Sequence, residues 1–206
     1  MKRLFLLGCI AATAGCAEGH PSASSSLARP VQVQAGAVAD SNVSFTIEGG
    51  FASATDVAMT VKQPVVKLHS NGDRAVIDAV ELPLGDVTIS AEALPPKGLV
   101  LRNLVVKTAT SRAAIMDEQD DALALRVVGP LALDWSMQLD DGSLYPLGTV
   151  HTEPLNLDIT VVRANGQTTA TVQAACLGTC FAVDGVAKLS NGAIYLEADA
   201  DVTAAK

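Results

Sequence analysis

The second half of the chain contains the segment Leu131-Ala132-Leu133-Asp134-Trp135-Ser136-Met137-Gln138-Leu139, from which the fold class can be predicted. Large apolar side chains occupy every second position of it. A β-strand turns successive side chains to opposite faces, so a period of two predicts one buried row and one row in water. Asp140-Asp141-Gly142 follows, and Asp-Gly accepts the positive φ angles of a tight hairpin turn. We therefore predict a strand that enters a hairpin.

The same alternation recurs from about residue 31 onward, and no stretch shows a helical stripe of comparable length. Other alternating apolar rows are Val43, Phe45 and Ile47; Val57, Met59 and Val61; and Leu155, Leu157, Ile159 and Val161. Dipeptides that favour hairpin turns are Asn71-Gly72, Asp141-Gly142, Asn165-Gly166, Asp184-Gly185 and Asn191-Gly192. The pattern predicts an all-β domain over residues 31–206: a single antiparallel sandwich, barrel or half-open sheet of about a dozen strands.

Composition excludes two broad classes. Of the 206 residues, 49% are hydrophobic and only 17% are charged, so the chain has enough apolar surface to fold. The net charge of −8 repels phosphate, and aromatic residues make up only 3%, so stacking platforms for bases are scarce. We predict a folded protein that does not bind nucleic acid.

The N-terminus has the layout of an export signal. Lys2 and Arg3 precede a short apolar run, and small residues follow it. Such a run directs secretion and is too short to span a bilayer, which takes about 20 apolar residues. Residues 1–15 are therefore predicted to be a signal peptide. Residues 16–30, rich in Ser, Ala and Pro, are predicted to form a flexible tether.

Thr13-Ala14-Gly15-Cys16 resembles the lipobox of bacterial lipoproteins, with Thr where Leu is usual. The resemblance implies that Cys16 carries a diacylglyceryl group and becomes the first residue of the mature protein. It also implies a lipid-anchored protein of the bacterial cell envelope whose domain faces the periplasm or the cell surface. Ala17 in place of Asp resembles the default for the outer membrane. Leu6-Leu7-Gly8-Cys9 is the alternative lipobox, and plain secretion is the alternative to anchoring.

The remaining cysteines lie close together in the sequence. If Cys16 carries lipid and Cys9 leaves with the signal peptide, Cys176 and Cys180 can pair without a spare thiol. An oxidising compartment permits that disulfide, which we expect to staple a turn between two strands. A redox site is the alternative, although the spacing is not that of a C-x-x-C motif.

Few residues suggest a reaction centre. Asp117, Glu118, Asp120 and Asp121 form an acidic cluster, which is a weak candidate for calcium and otherwise a solvated loop. The histidines lack zinc-site spacing, and neither a Gly-x-Ser-x-Gly elbow nor a phosphate-binding glycine loop is present. Trp135 lies in phase with the apolar row and is expected in the core. We predict a protein that is not an enzyme and carries no cofactor.

Two functional hypotheses follow. The first is an envelope lipoprotein that binds a hydrophobic or lipidic ligand, since walls of Val, Leu, Ile, Ala and Met suit acyl chains. It requires an apolar cavity. The second is a scaffold or accessory subunit of an envelope protein complex, which requires an exposed apolar patch or an unprotected edge strand. An enzyme would instead require carboxylates or histidines that converge in a cleft.

Overall fold

The computed structural model describes residues 31–49, 54–71, 74–89, 99–110, 112–119 and 122–204. Every regular element in these ranges is a β-strand. No helix in the same ranges is long and apolar enough to cross a membrane. The strands are β1 (Val31–Gly49), β2 (Thr55–Met59), β3 (Val65–Asn71), β4 (Arg74–Ile89), β5 (Leu99–Thr108), β6 (Arg112–Gln119), β7 (Ala122–Gly129), β8 (Leu131–Gln138), β9 (Leu144–His151), β10 (Leu155–Ala164), β11 (Gln167–Val183) and β12 (Ala187–Ala204).

These elements form one antiparallel sheet of 12 strands, in the order β2-β1-β12-β11-β10-β7-β6-β4-β5-β8-β9. Strand β3 lies off this path and pairs with both β1 and β4, so the sheet folds over on itself. Among the described residues, β2 and β9 each pair with a single strand, so each of these two strands has a free edge. The prediction of one all-β antiparallel domain is confirmed.

The core follows the predicted alternation. Val43, Phe45 and Ile47 are buried on β1, and Leu157, Ile159 and Val161 are buried on β10. Trp135 is 3% exposed and packs in the core, as its position in the apolar row predicts. Burying a side chain of this size contributes about 1.5–3 kcal/mol, so these rows supply most of the driving force for folding.

Several predicted turns occur where expected. Asp141-Gly142 joins β8 to β9, Asn165-Gly166 joins β10 to β11, and Asp184-Gly185 joins β11 to β12. Asn165 and the three glycines have positive φ angles. Asn71 pairs with Arg74, so β3 and β4 also form a hairpin, although Gly72 lies outside the described residues.

The prediction of a turn at Asn191-Gly192 is wrong. Both residues lie inside β12, where Asn191 has φ +49° and the register against β1 shifts between Ser44 and Thr46. A β-bulge places an extra residue in one strand and often needs the same left-handed backbone as a hairpin turn. Asn191-Gly192 therefore forms a β-bulge instead of a turn, and β12 continues on both sides of it.

Two further bulges use one sequence motif. Pro83-Leu84-Gly85 lies in β4 and Pro146-Leu147-Gly148 lies in β9. In each motif, the Pro and the Gly lie opposite consecutive residues of the partner strand, so the Leu is the extra residue. The glycine φ angles are +84° and +80°. Such bulges bend a strand, which lets β4 and β9 curve with the folded sheet.

A polar contact on the outer face attaches β9 to its neighbours. Asp134 of β8 accepts hydrogen bonds from Lys107 Nζ of β5 and, at 2.6 Å, from Thr149 Oγ1 of β9. The hydrogen bonds from Lys107 and then from Thr149 lower the pKa of the Asp134 carboxyl. The ionised carboxylate therefore links three strands.

Substitution of Asp134 by Asn is expected to weaken the acid dependence of stability. A carboxyl whose pKa is lowered in the folded state contributes stability above its ordinary pKa of 3.8, and this contribution is lost as pH falls through the folded pKa. Urea unfolding at several pH values below neutrality should therefore show a steeper acid loss in the wild type than in D134N.

The matched control is D199N, because Asp199 lies exposed on β12 with no hydrogen bond among the described residues. D199N should keep the wild-type acid profile. A D134N profile that coincides with the wild type would show that the Asp134 contacts do not stabilise the sheet.

Candidate functional site

Strand β11 extends beyond its partner β10. The β10–β11 ladder ends at Leu157 and Ala174, whereas β11 continues to Val183. Beyond Ala174, β11 pairs with β12 alone among the described residues. Strand β9 contacts β11, but among the described residues it pairs only with β8. Thr152, which follows β9, lines a cleft together with Ala175 and Cys176 from this part of β11. We use the term seam for the boundary between two segments. One is β9 together with Thr152, which follows it, and the other is residues 175–183 of β11.

An apolar cleft lies at the seam, between the start of β8 and β11. Its volume is about 220 Å³ including the part open to solvent. The closed part is narrow, with room for about one water molecule. Its lining surface is wholly apolar. The lining residues are Phe45, Leu131, Thr152, Leu155, Ala174, Ala175, Cys176, Phe181, Gly192 and Ile194.

Thr152 does not make the cleft polar. Its side chain is buried, and its Oγ1 accepts a hydrogen bond from the backbone N–H of Leu131 at 3.0 Å. The N–H of Thr152 donates back to the Leu131 carbonyl at 2.9 Å. The Oγ1 and the N–H of Thr152 are both hydrogen-bonded to the backbone of Leu131. The cleft therefore favours apolar over polar ligands.

Aromatic packing closes one wall of the cleft. The rings of Phe45 and Phe181 meet edge to face with centroids 5.9 Å apart. A side chain at Gly192 would overlap the Phe45 ring, so glycine is required at this close approach. The wall therefore depends on residues from β1, β11 and β12 together.

The predicted disulfide joins Cys176 and Cys180, with Cα atoms 5.8 Å apart. Its expected position in a turn between two strands is wrong, because both cysteines lie inside β11. From Cys176 to Phe181, β11 advances five residues while β12 retreats three, from Gly192 to Leu189. The disulfide therefore spans a wide bulge at the unpaired edge of the strand.

Backbone contacts fix this bulge. The N–H of Gly178 donates to Asn191 Oδ1 at 3.1 Å, and the N–H of Gly192 donates to Cys180 Sγ at 3.4 Å. Leu177 at the tip is 91% exposed, whereas Cys180 is 2% exposed. The bulge therefore places the sulfur of Cys180 in the core and the side chain of Leu177 in solvent.

A polar depression lies on the outer face of the same strands. It holds about 860 Å³ of open space and is lined by Asn156, Asp158, Gln173 and Tyr195. The depression and the apolar cleft share Ala174, Ala175 and Ile194 as lining residues. The sheet is therefore a single layer thick at the seam, with an apolar inner side and a polar outer side.

Most other residues singled out from the sequence do not meet at this site. Cys16, Asp120 and Asp121 lie outside the described residues. Asp117 and Glu118 lie on β6, which pairs with β7 and not with β9 or β11, and their side chains are not described. No group of three or more His, Cys, Asp or Glu side chains that could hold a metal ion occurs in the described part of the chain. Calcium binding by the acidic cluster stays a prediction.

The cleft residues carry no sequence signature of their own. Phe45 and Leu155 belong to alternating rows that read as ordinary core. One signal is available in β11, where apolar residues change from even positions, Val172 and Ala174, to odd positions, Phe181 and Val183. Such a change of phase within a strand marks a bulge.

No protein-family model, no curated protein and no solved structure matches this chain.

Removal of the disulfide by Cys176→Ser and Cys180→Ser together is expected to lower the free energy of unfolding by about 2 kcal/mol, because the closed loop is short. The protein should still fold, since β12 and the core hold β11 in place. Urea unfolding of oxidised wild type and of the double variant measures the difference. A loss of ligand binding or partner association with unchanged stability would instead favour the redox interpretation.

Proposed function

We propose that this chain is a lipid-anchored protein of the bacterial cell envelope that binds a hydrophobic or lipidic ligand and does not catalyse a reaction. The observation that carries the proposal is the wholly apolar cleft beneath a seam without ladder hydrogen bonds. A ligand with an aliphatic chain gains about 25 cal/mol for each Å² of apolar surface it buries there.

The seam supplies a route of entry. An acyl chain is wider than the closed part of the cleft, so β9 and β11 must separate to admit it. Separation breaks no ladder between them, because among the described residues β9 pairs only with β8 and residues 175–183 only with β12. Opening the seam then costs mainly the van der Waals contacts between β9 and β11. The aliphatic chain of the ligand replaces these contacts when it binds.

The lipobox supports the anchor. Two or three acyl chains on one cysteine bind a bilayer durably, whereas one chain holds only weakly. The net charge of −8 repels anionic headgroups, so the protein body adds no attraction of its own. A tether of residues 16–30 would let the domain range about 20 Å from the bilayer.

A second function is favoured by the free edge of β9. Leu144 and Tyr145 on this strand are 50% and 55% exposed. An unpaired strand edge with exposed apolar side chains can accept a strand from another protein. The chain would then act as an accessory subunit of an envelope complex.

Substitution of Cys16 by Ser is expected to move the protein from the membrane pellet to the soluble fraction, because the lipid is lost. The matched control is Cys9→Ser, which removes the alternative lipobox cysteine and should leave the protein in the pellet. Release by C9S, or retention of C16S, would contradict the assignment of Cys16.

Ligand binding is tested with the full chain carrying Cys16→Ser, which needs no detergent, and a fluorescent fatty acid. The wild-type cleft should bind the probe saturably. Ala174→Leu narrows the cleft and is expected to weaken binding at least tenfold, roughly the effect of a lost apolar pocket. Ala193→Leu, on the exposed face of β12, should bind as before.

The absence of saturable binding would overturn the ligand proposal. Formation of a complex through β9 with a co-purified envelope protein would then favour the accessory-subunit function. Equal binding by A174L and A193L would show that the probe lies outside the cleft.

A further inference from the structure

Arg112 places its guanidinium over a glycine. A Cβ atom at Gly129 would lie 2.5 Å from Arg112 Cζ and 2.7 Å from Nε, so the guanidinium fills the space a side chain would take. Arg112 begins β6 and Gly129 ends β7, the next strand in the sheet. The arginine therefore packs across the neighbouring strand.

This guanidinium lies on the core side of the sheet. Gly129 is buried and in phase with Leu123, Leu125 and Val127, whose side chains point into the core. Since successive residues of a strand alternate between faces, the position of a Cβ on Gly129 is also on the core side. The buried Nε of Arg112 therefore lies on the core side of the sheet, whereas the residue as a whole is half-buried.

Among the described side chains, none serves as a counter-ion to Arg112. Its Nε is buried without a hydrogen-bond partner, and no ion pair of Arg112 occurs among the described residues. Arg102 and Arg126 differ, because they pair with Asp86 at 3.0 Å and with Asp158 at 2.6 Å on the outer face. A buried donor without a partner destabilises the folded state, and more so when it is charged.

Arg112 is also next to the cleft. Gly129, which it covers, is the direct cross-strand partner of Leu155 and stands two residues before Leu131. Leu131 and Leu155 both line the cleft. The guanidinium of Arg112 thus covers a residue that is adjacent, in the sheet and in the sequence, to two lining residues of the cleft.

We propose that Arg112 recognises the anionic head of the ligand, and that the ligand is an amphiphile with a long aliphatic chain and a single carboxylate. This inference rests on the proposed function, because the same cleft takes the chain. A carboxylate can accept two parallel N–H bonds from a guanidinium, which satisfies the Nε that is otherwise unpartnered. A neutral lipid would leave the Nε of Arg112 without a hydrogen-bond partner of this kind.

The test compares palmitate with methyl palmitate at pH 8, where the acid is ionised. Both have the same chain, so their affinities differ only through the head. Displacement of the fluorescent fatty acid from the full chain carrying Cys16→Ser measures both. Charge-assisted hydrogen bonds predict at least a tenfold preference for palmitate.

Three variants test whether Arg112 causes the preference for palmitate over its methyl ester. Arg112→Gln should lower palmitate affinity to that of the methyl ester. Gly129→Ala places a methyl group where the guanidinium lies, so it should displace the head of Arg112 and lower the preference as well. Arg126→Gln, which removes an arginine paired on the outer face, should bind as the wild type does.

The stability of Arg112→Gln separates recognition from a structural role. An arginine with no partner among the described residues contributes no ion pair, so the thermal midpoint of R112Q should match or exceed that of the wild type. A large fall in the midpoint would mean that Arg112 supports the fold, and the inference would fail.

The remaining outcomes separate the two proposals. Equal binding of palmitate and its ester, unchanged in R112Q, overturns the role of Arg112 while the ligand function stands. Displacement of the probe by millimolar phosphate or acetate would indicate a site for small anions and overturn the amphiphile. Binding of neither lipid overturns both proposals.

Discussion

Strand β11 continues past Ala174, where its pairing with β10 ends, and the rest of the site depends on this difference in length. Backbone N–H and C=O groups must pair or meet water, so a strand that outlasts its neighbour leaves an edge that another element has to approach. Strand β10 cannot supply that cover, because it begins at Leu155 and its ladder with β11 ends at Leu157. Strand β9 also has a free edge, and it contacts β11 without pairing with it among the described residues. The apolar cleft lies where these two edges meet.

The unpaired edge of β11 is shaped by its bulge. Extra residues between Cys176 and Phe181 interrupt the regular ladder, and the disulfide holds them in place. A long flat edge is a template for aggregation, and a bulge is one of the ways in which proteins interrupt it. Asn191 on the neighbouring strand accepts the Gly178 N–H, so the sequence of β12 is matched to the bulge of β11. The same arrangement turns Phe181 into the wall of the cleft, which links protection of the edge to the apolar lining.

The alternation of apolar residues was sufficient to predict the fold class, because period two depends only on the strand backbone. Trp135 and the rows on β1 and β10 follow it directly. Asn191-Gly192 could not be assigned correctly, because a hairpin turn and a bulge both need positive φ and only the partner strand distinguishes them. The position of the disulfide failed for a related reason: a short cysteine spacing fits a turn and a bulge equally. Arg112 could not be found at all, since its meaning comes from Gly129, 17 positions away in the sequence and adjacent only in the sheet.

Hydrogen exchange of the backbone amides of β11 tests the central claim most directly, since the claim is that this strand is paired on both sides up to Ala174 and on one side beyond it. Seam-facing amides within residues 175–183 should exchange much faster than amides of residues 169–174, and bound palmitate should slow them, because its chain fills the cleft and excludes water. Equal and strong protection of both segments without ligand would contradict the account, because it would mean that β11 has a second partner along its whole length.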